Sequence, residues 1–128
     1  MTERQCKELW REELQPVILG NGFAAHLLAL RLRLRYGLPS LLCATHRNLA
    51  DLLFPASFIP LVDAEPRLLC EQLTDLAKQY EDCLLFLIPS TETHHAWLAK
   101  HAALLEADYV LVTPEELPHR IPSCLRAE

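Results

Sequence analysis

Apolar residues along the chain fall into short continuous runs, PVILG (16–20), SLLCAT (40–45), SFIPLV (57–62), CLLFLI (83–88) and YVLVT (109–113). Longer stretches between them repeat apolar positions every three or four residues. A short run bounded by turn residues predicts a strand buried on both faces. Pro60 makes the third run a short or edge strand. The opening TERQCKELWREEL pairs Thr2 with Gln5 in a capping-box pattern and stops before Pro16, which predicts an N-terminal helix. From residue 23 to 36, Leu27, Leu30 and Leu34 recur at i, i+3 and i+7, and Gly37 stands where a helix ends. RLRLR alone would also suit an alternating strand. The Ala/Leu-rich context, the glycine and three arginines near the negative end of the helix dipole favour helix. NLADLLF predicts a short helix, residues 93–106 another, and residues 66–80 a helix with Leu69, Leu73, Leu76 and Ala77 on one face and Pro66 at its start.

Strands alternating with helices, and strands apolar on both faces, predict an α/β fold with a parallel sheet covered by helices on each side. The expected architecture is a three-layer, Rossmann-like sandwich with a mostly parallel five-stranded sheet in the order 3-2-1-4-5. Residues 1–128 read as one domain: a helix over 1–15, a core over 16–117 and a tail over 118–128. Ligands of such sheets sit beyond the carboxyl ends of the strands where the order reverses, here between the first and fourth. Gly20, Asn21 and Gly22 meet Ser90, Thr91 and Glu92 at that point. The first loop offers close backbone approach, the second hydroxyls and a carboxylate. Alternatively, Ser90, Thr91 or Thr93 only caps the helix that follows.

The chain has three glycines, Gly20, Gly22 and Gly37, and backbone geometry accounts for all of them without a ligand. A dinucleotide fingerprint wants an acidic residue about twenty positions beyond its glycines, where this chain has ATHRN. His46 and Arg47 would suit a ribose phosphate instead, which keeps an NADP-type alternative open. The Walker pattern is absent, and Lys7, Lys78 and Lys100 all fall on predicted helices.

The net charge of −5 and the lack of a basic cluster beyond Arg31, Arg33 and Arg35 argue against nucleic acid as a partner. A charged N-terminus and the lack of an apolar span of about 18 residues predict a cytoplasmic protein without signal peptide or membrane anchor. Five widely spaced cysteines without a C-x-x-C pair fit reduced thiols. Cys43 and Cys83 read as small core residues, and nothing near Cys6 or Cys124 would activate either. His94 and His101 share a helix face about 10 Å apart, too far for one zinc, so they read as a solvated face and no metal site is expected. Ser90 and Ser123 lack the nucleophile-elbow glycines, and no catalytic residue is assigned. Trp10 and the proline-rich tail would suit a homodimer contact.

PVILGNGFAAHLLALRLRLRYGLPSLLCATHRN and LLCEQLTDLAKQYEDCLLFLIPSTETHHAWLAKHAALLEADYVLVTPEEL together resemble the N-terminal pre-ATP-grasp domain of ATP-grasp ligases, as in carbamoyl-phosphate synthase large subunits and carboxylate–amine ligases. FLIPSTETHHAWLAKHAALLE followed by VLVTPEEL carries the likeness best. The resemblance implies a supporting domain that lines the acceptor-substrate side of a cleft, while later domains supply the phosphate-gripping lysines and the Mg2+ ligands. It therefore implies a chain that is non-catalytic alone, binds a small molecule or a partner subunit, and meets ATP and Mg2+ only when an ATP-grasp catalytic subunit completes it. Gly20, Asn21, Gly22, Ser90, Thr91 and Glu92 are the positions that would face a substrate. Glu92 has no second carboxylate beside it and is given no general-base role. Thr113-Pro114-Glu115-Glu116 has a capping-box form, with Pro118 and Pro122 expected to cut its helix short.

Overall fold

The computed structural model describes residues 2, 4, 5, 13–53, 57–62 and 65–121. Its elements follow one another as β1 (Leu14–Leu19), α1 (Phe23–Tyr36), β2 (Leu41–Ala44), α2 (Leu49–Leu53), β3 (Ser57–Pro60), α3 (Pro66–Gln79), β4 (Leu84–Pro89), α4 (Glu92–Leu105), β5 (Val110–Leu111) and α5 (Leu117–Arg120). The five strands form one all-parallel sheet in the order β3-β2-β1-β4-β5. This is the predicted Rossmann-like α/β sandwich.

Alternation along each strand divides the core into two layers. Leu14, Ile18, Leu42, Phe86, Ile88 and Val112 face α1 and α5, burying Ala25, Leu28, Leu32, Leu117 and Ile121. Val17, Leu19, Leu41, Cys43, Leu85 and Leu87 face the other way, toward Cys70, Leu73, Leu76 and Ala77 of α3 and Leu98 and Leu105 of α4. Residues 16–19 of β1 and 85–89 of β4 are covered on both sides and read as unbroken apolar runs, while Gln15 and Leu84, near the strand starts, are half-exposed and exposed. The buried Tyr109 closes the second layer by donating its hydroxyl to the Leu73 carbonyl at 2.6 Å. Desolvation, then the proximity of Cys43 and Asp108, pushes its phenol pKa up.

Several boundaries differ from expectation. Strand β1 starts at Leu14 and contains Pro16, which precedes the β1–β2 ladder that begins at the Val17–Leu41 pair. In α1 the stripe Leu27, Leu30 and Leu34 faces solvent, at 43%, 38% and 76% exposure, and the buried side is Ala25, Leu28, Ala29, Leu32 and Tyr36. Leucines occupy both faces of this helix, so period alone does not select the core side. Gly37 adopts φ 70° and ends α1 as predicted, with Gly37 N–H donating to the Arg33 carbonyl and Leu38 N–H to that of Leu32. The last strand is only two residues long. The helix after Thr113–Glu116 is short, as expected, ending at Arg120, although Pro118 sits in its first turn, where a missing N–H forfeits no hydrogen bond. Thr113 accepts from the Glu116 N–H at 3.2 Å in the turn before it. The Thr2–Gln5 capping box is formed, while most of the predicted N-terminal helix, including Cys6 and Trp10, and residues 122–128 of the tail lie outside the described residues. Among the described residues, no helix is long and apolar enough to cross a membrane.

Candidate functional site

Where the strand order reverses, the loops after β1 and β4 are tied together directly. The Ser90 hydroxyl donates to the Leu19 carbonyl at 2.6 Å, and the Ser90 N–H approaches the same oxygen at 3.2 Å. Gly20 turns the chain at φ 106°, a conformation open to glycine at little cost. A Cβ at this position would fall against Ser90 Oγ and within 2.9 Å of His94 Cε1. Gly22 is different: it caps α1 at φ −74°, and no atom lies within 4 Å of where its Cβ would be. The expectation that backbone geometry demands all three glycines therefore fails at Gly22.

A cleft of about 370 Å3 opens beside these loops, on the α3 and α4 side of the sheet. Leu19, Cys43, Ala44, Leu61, Leu69, Leu73 and Trp97 give it apolar walls, and Gly20, Asn21, Gly22, Thr45, His46, Ser90, Thr91 and His94 add polar atoms. Five of the seven residues singled out from the sequence line it, namely Gly20, Asn21, Gly22, Ser90 and Thr91. Glu92 opens instead on a neighbouring polar cleft of about 430 Å3, with His95, Thr113 and Glu115. Arg47 lines neither of these two clefts: its guanidinium stacks over the Phe58 ring, 4.6 Å from the centroid.

Most of the loop's polar side chains are already engaged with protein. Asn21 Nδ2 donates to the His46 carbonyl and to Asp51 Oδ2, each at 2.6 Å. His26 Nε2 lies 2.7 Å from Asp51 Oδ1, both side chains being nearly inaccessible. Because an ionised carboxylate only accepts, Nε2 carries the proton of that bond. Asn48 donates its backbone N–H to Asp51 at 2.9 Å and its side-chain amide to the Asn21 carbonyl at 2.8 Å. Burial raises the Asp51 pKa, but the Asn48 N–H, the His26 and Asn21 hydrogen bonds and the attraction of His26 together outweigh it, and the net shift is downward. This network fixes the loop after β1 to the segment after β2, so Asn21 meets the cleft with a side chain already committed. His26 is absorbed here and Phe23 is exposed, so neither fills the crevice.

Thr91 caps α4, accepting from the His94 N–H at 3.2 Å, with His94 Nδ1 at 2.7 Å from the same hydroxyl. Burial lowers the His94 pKa, which favours the neutral ring. The expected solvated histidine face is thus corrected: His94 is half-buried at the cleft, and His101 is half-buried with its ring 4.8 Å from that of Trp97. Burial pushes the Cys43 thiol up to about 12, so it is an inert wall residue. Cys83 is half-buried, packed at the margin of its layer. No group of three or more metal-ligating side chains occurs among the described residues.

The main omissions from the sequence reading are Trp97 and Asp51. Asn48-x-x-Asp51 has the local form of a helix cap, a legible signal, whereas the position of Trp97 depends on how α4 packs against the sheet. Compared with known proteins, the chain matches no family model, no curated protein and no solved structure. Fold and cleft together define an α/β domain with a small, mainly apolar crevice at its switch point.

Proposed function

We propose that this chain is a non-catalytic binding domain that holds a small molecule with a flat apolar portion and one hydrogen-bonding edge. The observation that carries this reading is the cleft beyond β1, β2 and β4. Its volume of about 370 Å3 lies at the small end of the range of about 300–1,000 Å3 found for ligand sites. Trp97, Leu61 and Leu69 supply apolar contact area, while Thr45, Thr91 and His94 supply polar groups. Catalysis by the cleft lacks support: the Ser90 hydroxyl is held by a backbone carbonyl and His94 Nδ1 by Thr91. The resemblance to pre-ATP-grasp domains extends the reading. In that case the chain works beside an ATP-grasp subunit that brings ATP and Mg2+, and the cleft takes an acceptor substrate.

The alternative, an NADP-binding enzyme or regulatory domain, needs Arg47 at a ribose phosphate. The cleft is small for a whole dinucleotide, and Arg47 is engaged with Phe58, so this reading has less support. A thermal-shift panel of ATP with Mg2+, ADP, NAD(H), NADP(H), small carboxylates and aromatic amino acids separates the two. A small aromatic or carboxylate compound is expected to raise Tm and to perturb Trp97 fluorescence in a Trp10→Phe background. Ala44→Phe, which fills the cleft, should abolish both effects. An NADPH shift lost in Arg47→Ala would favour the alternative, and a panel with no shift would overturn stand-alone binding.

A further inference from the structure

Outside the cleft, the outer face of α1 carries an apolar row that the fold does not use. Leu27, Leu30 and Leu34 are 43%, 38% and 76% exposed, and their 3,4 spacing is that of a coiled-coil seam. Phe23 extends the row by another four residues at 61% exposure, and Leu52 and Leu53 of the adjoining α2 are also exposed. Isolated exposed leucines are ordinary, but a continuous row along a helix marks a contact surface. The core does not require this stripe, since Ala25, Leu28, Ala29 and Leu32 already occupy the buried face.

With Leu27 and Leu34 at heptad position a and Leu30 at d, Arg31 falls at e and Arg33 at g, the positions that select a partner's charge. Arg35 follows on the exposed side. These three form the chain's basic cluster, in a molecule whose net charge is −5. Among the described residues, neither Arg31 nor Arg33 has an ion-pair partner. Helix α1 contains no Asp or Glu. Seam-to-seam pairing with a second copy would therefore offer the arginines no countercharge on the opposing helix in either orientation. Like or unmatched charges at e and g disfavour such pairing.

We infer that the outer face of α1 docks an amphipathic helix of another protein, with leucine-like residues along its seam and Glu or Asp at the flanking positions. This inference rests on α1 alone and is independent of the cleft. The test uses two labelled helical peptides of about three heptads with Leu at a and d, one carrying Glu at e and g and the other Lys. Fluorescence anisotropy should show the Glu peptide binding about tenfold more tightly than the Lys peptide, with affinity falling as salt rises. Leu34→Glu should abolish binding with Tm unchanged, because that side chain is mostly in solvent. Arg31→Glu with Arg33→Glu should reverse the preference. Leu27→Glu repeats the seam test at a second position. Equal binding of both peptides, or of neither, would overturn the inference. So would sedimentation of the protein as a dimer that Leu34→Glu dissociates, since a second copy would then be the occupant.

Discussion

At Gly20 the backbone runs at φ 106° and the space beside it is taken by Ser90 and His94, whereas at Gly22 the backbone is ordinary and the space empty. Gly20→Ala is therefore expected to destabilise by at least about 1–3 kcal/mol, combining backbone strain with displacement of the Ser90 hydroxyl. Gly22→Ser should be neutral or stabilise by a few tenths of a kcal/mol, since serine is the better helix cap. Urea unfolding of both variants checks the contrast. Asp51 carries a second expectation. Its folded-state pKa lies below the ordinary value of 3.8, so its contribution is full above that value and is lost as pH falls through the lower, folded value. Asp51→Asn should cost about 1–3 kcal/mol at pH 7 by leaving buried partners ill matched. Its stability curve should also be flatter than that of the parent below pH 4, which acid titration followed by circular dichroism would reveal. The cap formed by Asn48 and Asp51 is written in residues three positions apart. Its coupling to His26 and Asn21 spans 25 and 30 positions and has no local signature.

Among the elements, α1 carries apolar residues nearly all the way round. A helix of this kind is legible as a helix, but the side it buries is set by which leucines meet the sheet. Leu32 is fully buried and Leu34 is 76% exposed. Leu32→Ala should cost about 2–5 kcal/mol through lost burial and the cavity left behind. Leu34→Ala should stay within about 0.5 kcal/mol of the parent, and thermal unfolding of the two variants would expose any error in the assigned face. In α3 the polar and apolar positions segregate, and Leu73, Leu76 and Ala77 are buried as the period predicts. The short edge strand anticipated from Pro60 is β3, which pairs on one side with β2. Strand β1 extends back through Pro16, and α5 starts around Pro118, because proline is excluded only where an N–H is needed, and that requirement depends on the neighbouring strand or turn.

At the scale of the whole molecule, the cleft arises because β1 and β4 are neighbours whose following helices lie on opposite faces of the sheet. The loops diverge there, and space remains between them. A ligand occupying that space at 100 times its dissociation constant should add about 2.7 kcal/mol to stability, which differential scanning fluorimetry would register. Apolar runs alternating with helical periods were enough to derive the sheet order and to bring Gly20–Gly22 toward Ser90 and Thr91, since burial on both faces and short crossovers leave few arrangements. The exposed leucine row of α1, the placement of Trp97 and His94 at the cleft and the capture of Arg47 by Phe58 came from packing. Each depends on the rotation of a helix or the meeting of side chains from separate segments, and a local pattern of polar and apolar residues is the same for every such rotation.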